Sequence, residues 1–305
     1  MLNFTRLTLG DAAKIRDYFS HSAGMVCDNT VGGAFMWRDY FSTEYALYNQ
    51  TLILKAVVRY NNGITAFTLP LGRDVKGGIA AIREYCEAQN IPLAFCAVTE
   101  EDLPALTALF KGAKCHKEDR WSDYIYNAED LISLTGRKYN GQRNHINHFR
   151  KTFQNIAFEP ISNQNMAEVK AFFRTWTPHR IHNRELYAEE KEKIFEVLEH
   201  YGAYGLLGGL LRADGRVVAF AAGEICGKVL HVHIEKADTQ FRGAYQVIVN
   251  EFAKAYASED VAFINRGEDD GDEGLRTSKR SYHPCRIIEK YIVLAQPSTV
   301  NLHEI

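Results

Sequence analysis

The densest run of chemically capable side chains in this sequence is Asn265-Arg266-Gly267-Glu268-Asp269-Asp270-Gly271-Asp272-Glu273-Gly274-Leu275-Arg276, followed by Lys279, Tyr282 and His283. Five acids fall within the positions Glu268–Glu273, and Arg276, Lys279 and Arg280 follow on the helix that the run opens. The run leaves an apolar strand, and loops carried on the ends of rigid elements are where catalytic side chains concentrate. Carboxylates there can orient an ammonium group or take a proton, and the cations can hold an anion or an oxyanion. The competing reading is conformational. Asp272 and Glu273 complement the helix macrodipole, and the other acids pair with the cations in a salt-bridged turn. The spacing departs from the D-x-D-x-D-G pattern of a calcium loop, so no metal is expected.

Three other segments carry chemistry. His231, His233 and Glu235 alternate along a strand, which puts all three on one face as metal ligands, substrate contacts or a polar sheet surface. The turn Lys236-Ala237-Asp238-Thr239-Gln240-Phe241-Arg242-Gly243-Ala244-Tyr245-Gln246 leads from that strand into a helix. A helix start after glycine offers free N–H groups and a positive dipole end to a phosphate, with Gln240, Gly243 and Tyr245 at the contact. From Leu131 to Phe158 no acid occurs, while Arg137, Lys138, Arg143, Arg150 and Lys151 stand with His145 and His148. Like charges gathered on a helix repel. Such a cluster either meets an anionic partner (RNA, nucleotide phosphate or anionic lipid) or pairs with acids brought by the fold.

The elements that must position these groups alternate in type. The first part reads as a helix 11–19, short strands 45–48, 52–59 and 64–69 joined by Asn-Gln and Asn-Asn-Gly turns, a helix 75–88, a strand 93–98, a helix 101–110 and a strand 121–126. The second opens with one long basic helix, 131–153, then helices 168–176 and 188–201. A meander of strands 204–212, 217–225 and 229–236 follows, turning at Asp214-Gly215 and Cys226-Gly227-Lys228. Helix 244–257, strand 262–265, helix 273–281 and a last strand 285–294 close the chain, with an irregular tail from Gln296. Both parts run helices, hairpin or meander, strand, helix, strand. That order is an α+β layout of two domains, each a mixed, mostly antiparallel sheet flanked by helices. The boundary falls near 125/126, giving domains 1–125 and 126–305.

Composition narrows the class. The chain has 305 residues, 46% hydrophobic and 24% charged, with 36 Lys plus Arg against 38 Asp plus Glu and a net charge of −2. These are the values of an ordinary globular protein, and they exclude disordered, fibrous and disulfide-stapled classes. No apolar run is long enough to span a membrane, and the first residues lack a signal-peptide pattern, so a cytoplasmic location is expected. The six cysteines form no CxxC pair. Reduced thiols are expected, with neither a disulfide framework nor a zinc cluster. No G-x-S-x-G, P-loop or dinucleotide fingerprint occurs.

At the Gln240–Gly243 turn the sequence resembles the Gcn5-related N-acetyltransferases, whose pyrophosphate loop reads Arg/Gln-x-x-Gly-x-Gly/Ala. Gln240 and Gly243 match, and Tyr245 stands where that family has Gly or Ala. A second resemblance is closer. Asp123-Tyr124-Ile125-Tyr126, Glu129-Asp130-Leu131, Gly136-Arg137-Lys138-Tyr139-Asn140 and Arg143-Asn144-His145-Ile146-Asn147 look like the C-terminal region of the phosphatidylglycerol lysyltransferase family. Gly243-Ala244-Tyr245-Gln246, Asn265-Arg266, Asp269-Asp270-Gly271 and Gly274-Leu275-Arg276-x-x-Lys279-x-Ser281-Tyr282-x-Pro284 continue it in order.

The resemblance implies two tandem acyl-CoA N-acyltransferase-like (GNAT-like) domains, the second catalytic, related to the Fem transferases. It implies an aminoacyl donor carried on tRNA, no required cofactor, and a hydroxyl or amine acceptor on a phosphatidylglycerol-like lipid or a peptide. Arg266, Arg276 and Lys279 become candidates for oxyanion or phosphate contacts. Asp269 and Asp270 become candidates for holding the donor's ammonium or assisting the acceptor. Lys138, Arg143, His145, Arg150 and Lys151 would track the tRNA backbone. His231, His233, Glu235, Gln240, Gly243, Tyr245 and Tyr282 are the remaining candidate substrate contacts. Two alternatives stay open: an N-acyltransferase using acetyl-CoA, and a non-enzymatic protein that binds an anion or RNA.

Overall fold

The computed structural model describes residues 2–21, 25–58, 63–177 and 183–295. It divides into two units. One comprises the chain up to Asp123 together with the chain from Ile288, and the other is Tyr124–Ile287. The chain thus passes between units at 123/124, beside the expected 125/126, and passes back at 287/288. The expected tail from Gln296 and the end of the expected strand 52–59 lie outside the described residues.

The first unit contains β1 (Thr5–Arg6), α1 (Ala12–Phe19), α2 (Val31–Met36), β2 (Glu44–Tyr48), β3 (Thr51–Val58), β4 (Ile64–Phe67), β5 (Leu71–Gly72), α3 (Val75–Gln89), β6 (Ala94–Thr99), α4 (Leu103–Leu109) and β7 (Lys114–Lys117). The β2–β3 hairpin turns on Asn49 and Gln50, at φ 44° and 57°. Paired left-handed residues match the twist of a hairpin. Asp74 caps α3 by accepting from the Gly77 N–H at 2.9 Å, and Asn90 ends it at φ 52°. Gly78, Ala81, Ile82 and Cys86 make its buried stripe, the spacing of one helical face.

The second unit contains β8 (Asp123–Asn127), α5 (Ala128–Ser133), α6 (Asn140–Thr152), β9 (Ala157–Pro160), α7 (Met166–Thr175), α8 (Arg184–Glu199), α9 (Tyr201–Tyr204), β10 (Leu207–Ala213), β11 (Arg216–Cys226), β12 (Val229–Ala237), α10 (Ala244–Tyr256), β13 (Phe263–Asn265), α11 (Glu273–Arg280) and β14 (Arg286–Ile288). The last strand, β15 (Lys290–Leu294), returns to the first sheet and pairs with β6 and β7. The expected single strand 285–294 is therefore two strands in two sheets.

The first sheet runs β1-β2-β3-β4-β6-β15-β7, with β5 beside β3, and the second runs β14-β8-β13-β12-β11-β10-β9. Each holds a parallel pair among antiparallel neighbours, β4 with β6 and β12 with β13. In both cases one helix makes the crossover, α3 or α10, as a parallel connection requires. The repeated order of elements read from the sequence is thus a repeated topology.

The expected single helix 131–153 is broken. Leu134 (φ 49°) and Gly136 (φ 84°) take left-handed conformations that stop α5, and a short 3-10 turn, Arg137–Tyr139, precedes α6. A chain that leaves the helical region twice in three residues cannot carry one ladder of hydrogen bonds through. The core of this unit forms between α10 and the sheet: Val247, Ile248, Phe252 and Ala253 pack with Leu131, Phe149, Leu211, Leu230 and Ile264. Asn250, in the middle of this helix, is 4% exposed and donates to the carbonyls of Leu131 (2.7 Å) and Ile132 (2.8 Å). Those carbonyls lie in the last turn of α5, which has no helical partner for them. Replacing Asn250 by Ala is expected to cost about 2–3 kcal/mol, since two buried acceptors lose their donor. Asn250→Asp, which sets a carboxylate against two carbonyl oxygens, is expected to cost more; urea unfolding curves of the two variants check both.

Candidate functional site in the second unit

The parallel pair β12–β13 is short. It is in register at Val229–Phe263, Leu230–Ile264 and His231–Asn265, after which β13 ends while β12 continues to Ala237. Between Gly223 and Ala222 the β11 partner shifts from Val232 to Ile234, so His233 is the extra residue of a β-bulge. A bulge bends its strand and increases its twist. The pair therefore opens at its C-terminal ends, and Arg266, the residue after β13, reaches across to Glu235 on β12. Its Nη2 lies 2.7 Å and its Nε 3.2 Å from Glu235 Oε2.

The bulge also corrects the expected alignment of His231, His233 and Glu235. One added residue reverses strand parity. Glu235 lies opposite Ala221, on the core face shared with Leu230 and Val232, and reaches Arg266. His231 and His233 lie on the other face with rings stacked 6.3 Å apart, and the His233 ring nitrogen Nε2 is 2.9 Å from Glu224 Oε1. No three-ligand set forms from the expected trio.

Arg266 is 8% exposed. Its guanidinium carbon sits 4.7 Å from the ring centroid of Tyr282 and 5.7 Å from that of Tyr126. Burial disfavours the charge, but Glu235 and the two phenol rings outweigh it and hold the guanidinium charged. The side chain of Lys279, 5% exposed, donates to the Arg266 carbonyl and fixes the strand end. The Tyr126 hydroxyl donates to the Lys279 carbonyl at 2.8 Å. Among the described residues, two polar atoms of this cluster are buried without a hydrogen-bond partner: Nη1 of Arg266 and the hydroxyl of Tyr282. Burial pushes the Tyr282 phenol well above its ordinary range, so it is protonated at neutral pH. Both orphaned atoms are therefore donors, and donors fixed in a dry site are what an oxyanion or a substrate carbonyl meets.

The acidic turn is built around Asp269, 1% exposed. Arg276 grips its carboxylate with two bonds of 2.9 Å, from Nε and Nη2. Tyr124 donates to it at 2.6 Å and the Gly271 N–H at 2.8 Å. Burial alone would raise this carboxyl's pKa, but the three donors outweigh it and hold it below the ordinary 3.8. Asp272 caps α11 by accepting from the Leu275 N–H at 2.8 Å. Asp270 occupies a left-handed turn position at φ 46° and is half-buried. Of the five catalytic candidates, Arg266, Asp269, Arg276 and Lys279 converge here, and Asp270 sits on the turn that joins them. Tyr124 and Tyr126 stand in the sequence only as part of the family-like segment Asp123-Tyr124-Ile125-Tyr126. Their alternation on one strand face was the signal that places both hydroxyls here.

The basic segment behaves differently. Lys138 lies 3.3 Å from Asp130, and Arg150 lies 2.9 Å from Glu251. Arg143 is turned to backbone, donating to the Leu134 and Gly136 carbonyls and to the Asn140 side chain. It thus satisfies the broken end of α5. Lys151 is exposed and His145 half-buried. The fold itself supplies partners for three of the five cations.

The Gly243 turn is closed over. Gly243 has φ 100°, and a Cβ there would lie 2.4 Å from the His145 carbonyl oxygen of α6. The Phe241 ring packs against Phe153, tilted by 38° with centroids 4.8 Å apart. Tyr245 is half-buried against the core. Gln240 instead lines a surface cavity of about 450 Å³ with Phe172, Trp176 and Arg216. No helix among the described residues is long and apolar enough to cross a membrane.

Residues 22–294 match the family model described as phosphatidylglycerol lysyltransferase, C-terminal. A curated relative, an uncharacterized protein of Mycoplasmoides gallisepticum, is 25% identical over 175 residues, which is 56% of this chain and 56% of that protein. Among solved structures, a conserved protein of unknown function from Bacteroides thetaiotaomicron is 31% identical, with a TM-score of 0.86 over 96% of this chain and 99% of that one. L-PGS from Bacillus licheniformis is 16% identical, with a TM-score of 0.64 over 95% of this chain and 93% of that one. FemX is 10% identical, with a TM-score of 0.61 over 96% of this chain and 97% of that one. The fold is thus α+β, two tandem GNAT-like domains.

The depressed Asp269 carboxyl gives a pH prediction. A carboxyl whose folded pKa lies below its unfolded value adds stability that is present above the unfolded value and is lost as pH falls through the folded one. Asp269→Asn is expected to destabilise the protein at pH 7, with the gap to the parent shrinking below about pH 4 as the parent's own carboxylates protonate. Unfolding free energies at pH 7, 5 and 3 test the sign.

Proposed function

The chain belongs to the phosphatidylglycerol lysyltransferase C-terminal family, and from that membership we propose that it moves an aminoacyl group from aminoacyl-tRNA to a hydroxyl or amine acceptor. The observation that carries this reading is the pair of buried donors at the opening of β12 and β13, Nη1 of Arg266 and the Tyr282 hydroxyl. In aminoacyl transfer the acceptor attacks the ester carbon and the carbonyl oxygen becomes an oxyanion. The bond to the ribose oxygen then breaks, and that oxygen leaves as a hydroxyl with the acceptor's proton. Two preset donors stabilise the oxyanion without reorganisation.

The other residues serve that pair. Glu235 orients Arg266 and keeps it charged, and Lys279 pins the backbone that bears it. Asp269 aims Arg276, whose side chain is 27% exposed and sits at the rim as an anion contact. Asp270 is the candidate for the donor's α-ammonium group. Lys151, with Lys138 and Arg150 at the edges of their ion pairs, offers phosphate contacts to the tRNA. The chemistry needs no cofactor, and a tRNA donor puts the activity in the cytoplasm. The acceptor is a phosphatidylglycerol-like lipid or a peptide. The closed Gly243 turn and Tyr245 favour this reading over an acetyl-CoA donor, because a pyrophosphate needs open N–H groups there.

The test incubates the purified chain with tRNAs charged with labelled amino acids and with phosphatidylglycerol vesicles or acceptor peptides. Protein-dependent transfer of label is expected. No transfer with any pairing, alongside turnover of acetyl-CoA, would overturn the proposal. Tyr282→Phe is the sharpest variant, since it removes a hydroxyl that has no bond to lose in the free protein. Its stability is expected to stay within about 0.5 kcal/mol of the parent, while the transfer rate falls by about 10²-fold.

A further inference from the structure

Among the six cysteines, Cys27 differs in what surrounds its sulfur. Burial pushes the thiols of Cys86 and Cys96 up to about 11 and about 12. Burial likewise raises those of Cys115, Cys226 and Cys285. Cys27, in the first unit, is half-buried and stands among charged groups. Its Sγ donates to Asp123 Oδ1 at 3.2 Å and to Asp28 Oδ2 at 3.7 Å, and accepts from Lys290 Nζ at 3.4 Å. Lys290 is 1% exposed, and its Nζ also lies 3.0 Å from Asp123 Oδ1 and 2.5 Å from Asp28 Oδ2. Asp123 is fully buried, and its second oxygen accepts from the Cys27 N–H at 2.8 Å, which fixes the loop. One carboxylate oxygen thus touches both a thiol and an ammonium, a proton acceptor shared by two nucleophiles.

We propose that Cys27 and Lys290 form an oxidant-triggered, thiol-reversible covalent link. In the first step the thiol gives its proton to Asp123 and the sulfur attacks hydrogen peroxide. The O–O bond breaks, Cys27 becomes a sulfenic acid, and the departing hydroxide takes the proton and leaves as water. Sulfur loses two electrons and peroxide gains them. In the second step Lys290, its extra proton passed to Asp123, attacks the sulfenic sulfur as an amine. The S–N bond forms, the S–O bond breaks, the hydroxide leaves as water with the proton that Asp123 holds, and the nitrogen gives one proton back to Asp123. This step is redox-neutral. Sulfenic acids are known to condense with thiols or nitrogen in this way, and here the nitrogen is already in contact. A reducing thiol reverses the link by attacking the sulfur. The link ties the loop before α2 to β15 across 263 residues of sequence, which restricts the unfolded chain. It is independent of the transferase reading.

The test treats the intact protein with hydrogen peroxide and follows its mass and its peptides. The expected product has lost two hydrogens, joins the Cys27 and Lys290 peptides, and reverts with dithiothreitol. Cys27→Ser abolishes it. Lys290→Arg keeps the charge, and its Cys27 sulfenic acid is expected to be trapped by dimedone, which the parent escapes. Should that variant fail to fold, the parent alone decides: with dimedone present during oxidation, the linked Cys27–Lys290 peptide is expected and no dimedone adduct at Cys27. A dimedone adduct or a sulfinic acid at Cys27 of the parent, or oxidation of another cysteine first, overturns the proposal.

Discussion

The second unit is organised by the cost of burying one charge. A guanidinium taken out of water needs an anion and saturated contacts around it, and Arg266 has Glu235 and the faces of Tyr126 and Tyr282. Each of these partners constrains a different element. Glu235 faces Arg266 only because the bulge at His233 reverses the parity of β12. Tyr126 holds the Lys279 carbonyl of α11 from β8, and Tyr282 follows the end of that helix. The Tyr282 carbonyl in turn accepts from Tyr139 at 3.1 Å, which ties the helix end to the start of α6. Even so the charge is not saturated. One nitrogen of the guanidinium, Nη1, is left buried without a hydrogen-bond partner.

The segregation of charge along the chain has a similar explanation. The total of −2 is a sum of an acid-free stretch and an acidic turn, and the fold resolves each in its own way. Asp269 is neutralised within its own turn by Arg276, while Asp272 is spent on the first turn of α11. The basic segment is paired in part from a distance, Lys138 with Asp130 on α5 and Arg150 with Glu251 on α10. Arg143 donates to backbone oxygens and to the Asn140 side chain, because the break at Leu134 and Gly136 exposes carbonyls that need a donor.

The first unit repeats the topology without repeating the site. Its parallel pair, β4 and β6, is joined at a single register position, Phe67 with Phe95. Apolar side chains line that region: Phe67, Phe95 and Val293 belong to one cluster. Its charged cluster is elsewhere, around Lys290, Asp28 and Asp123. A topology sets where two strands part; the residues at that opening decide whether anything reacts there.

The sequence by itself determined what periodicity and turn chemistry reach. The helices at 75–89 and 244–256, the β10–β12 meander with its glycine turns and the strand–turn–helix around Arg266 stand within a few residues of their expected places, because each depends on neighbours close in the chain. The residues that converge on the site were legible as a charged run and a family-like pattern. Only the tertiary structure decided the rest. A bulge is one residue of register, visible only against the partner strand, and it separated Glu235 from His231 and His233. The break in the basic helix depends on carbonyls that Arg143 and Asn250 satisfy from other turns. The return of β15 to the first sheet is a pairing across most of the chain, and it alone sets Lys290 beside Cys27. Contacts of that range carry no local pattern, since what selects them is the burial and bonding they complete in the folded chain.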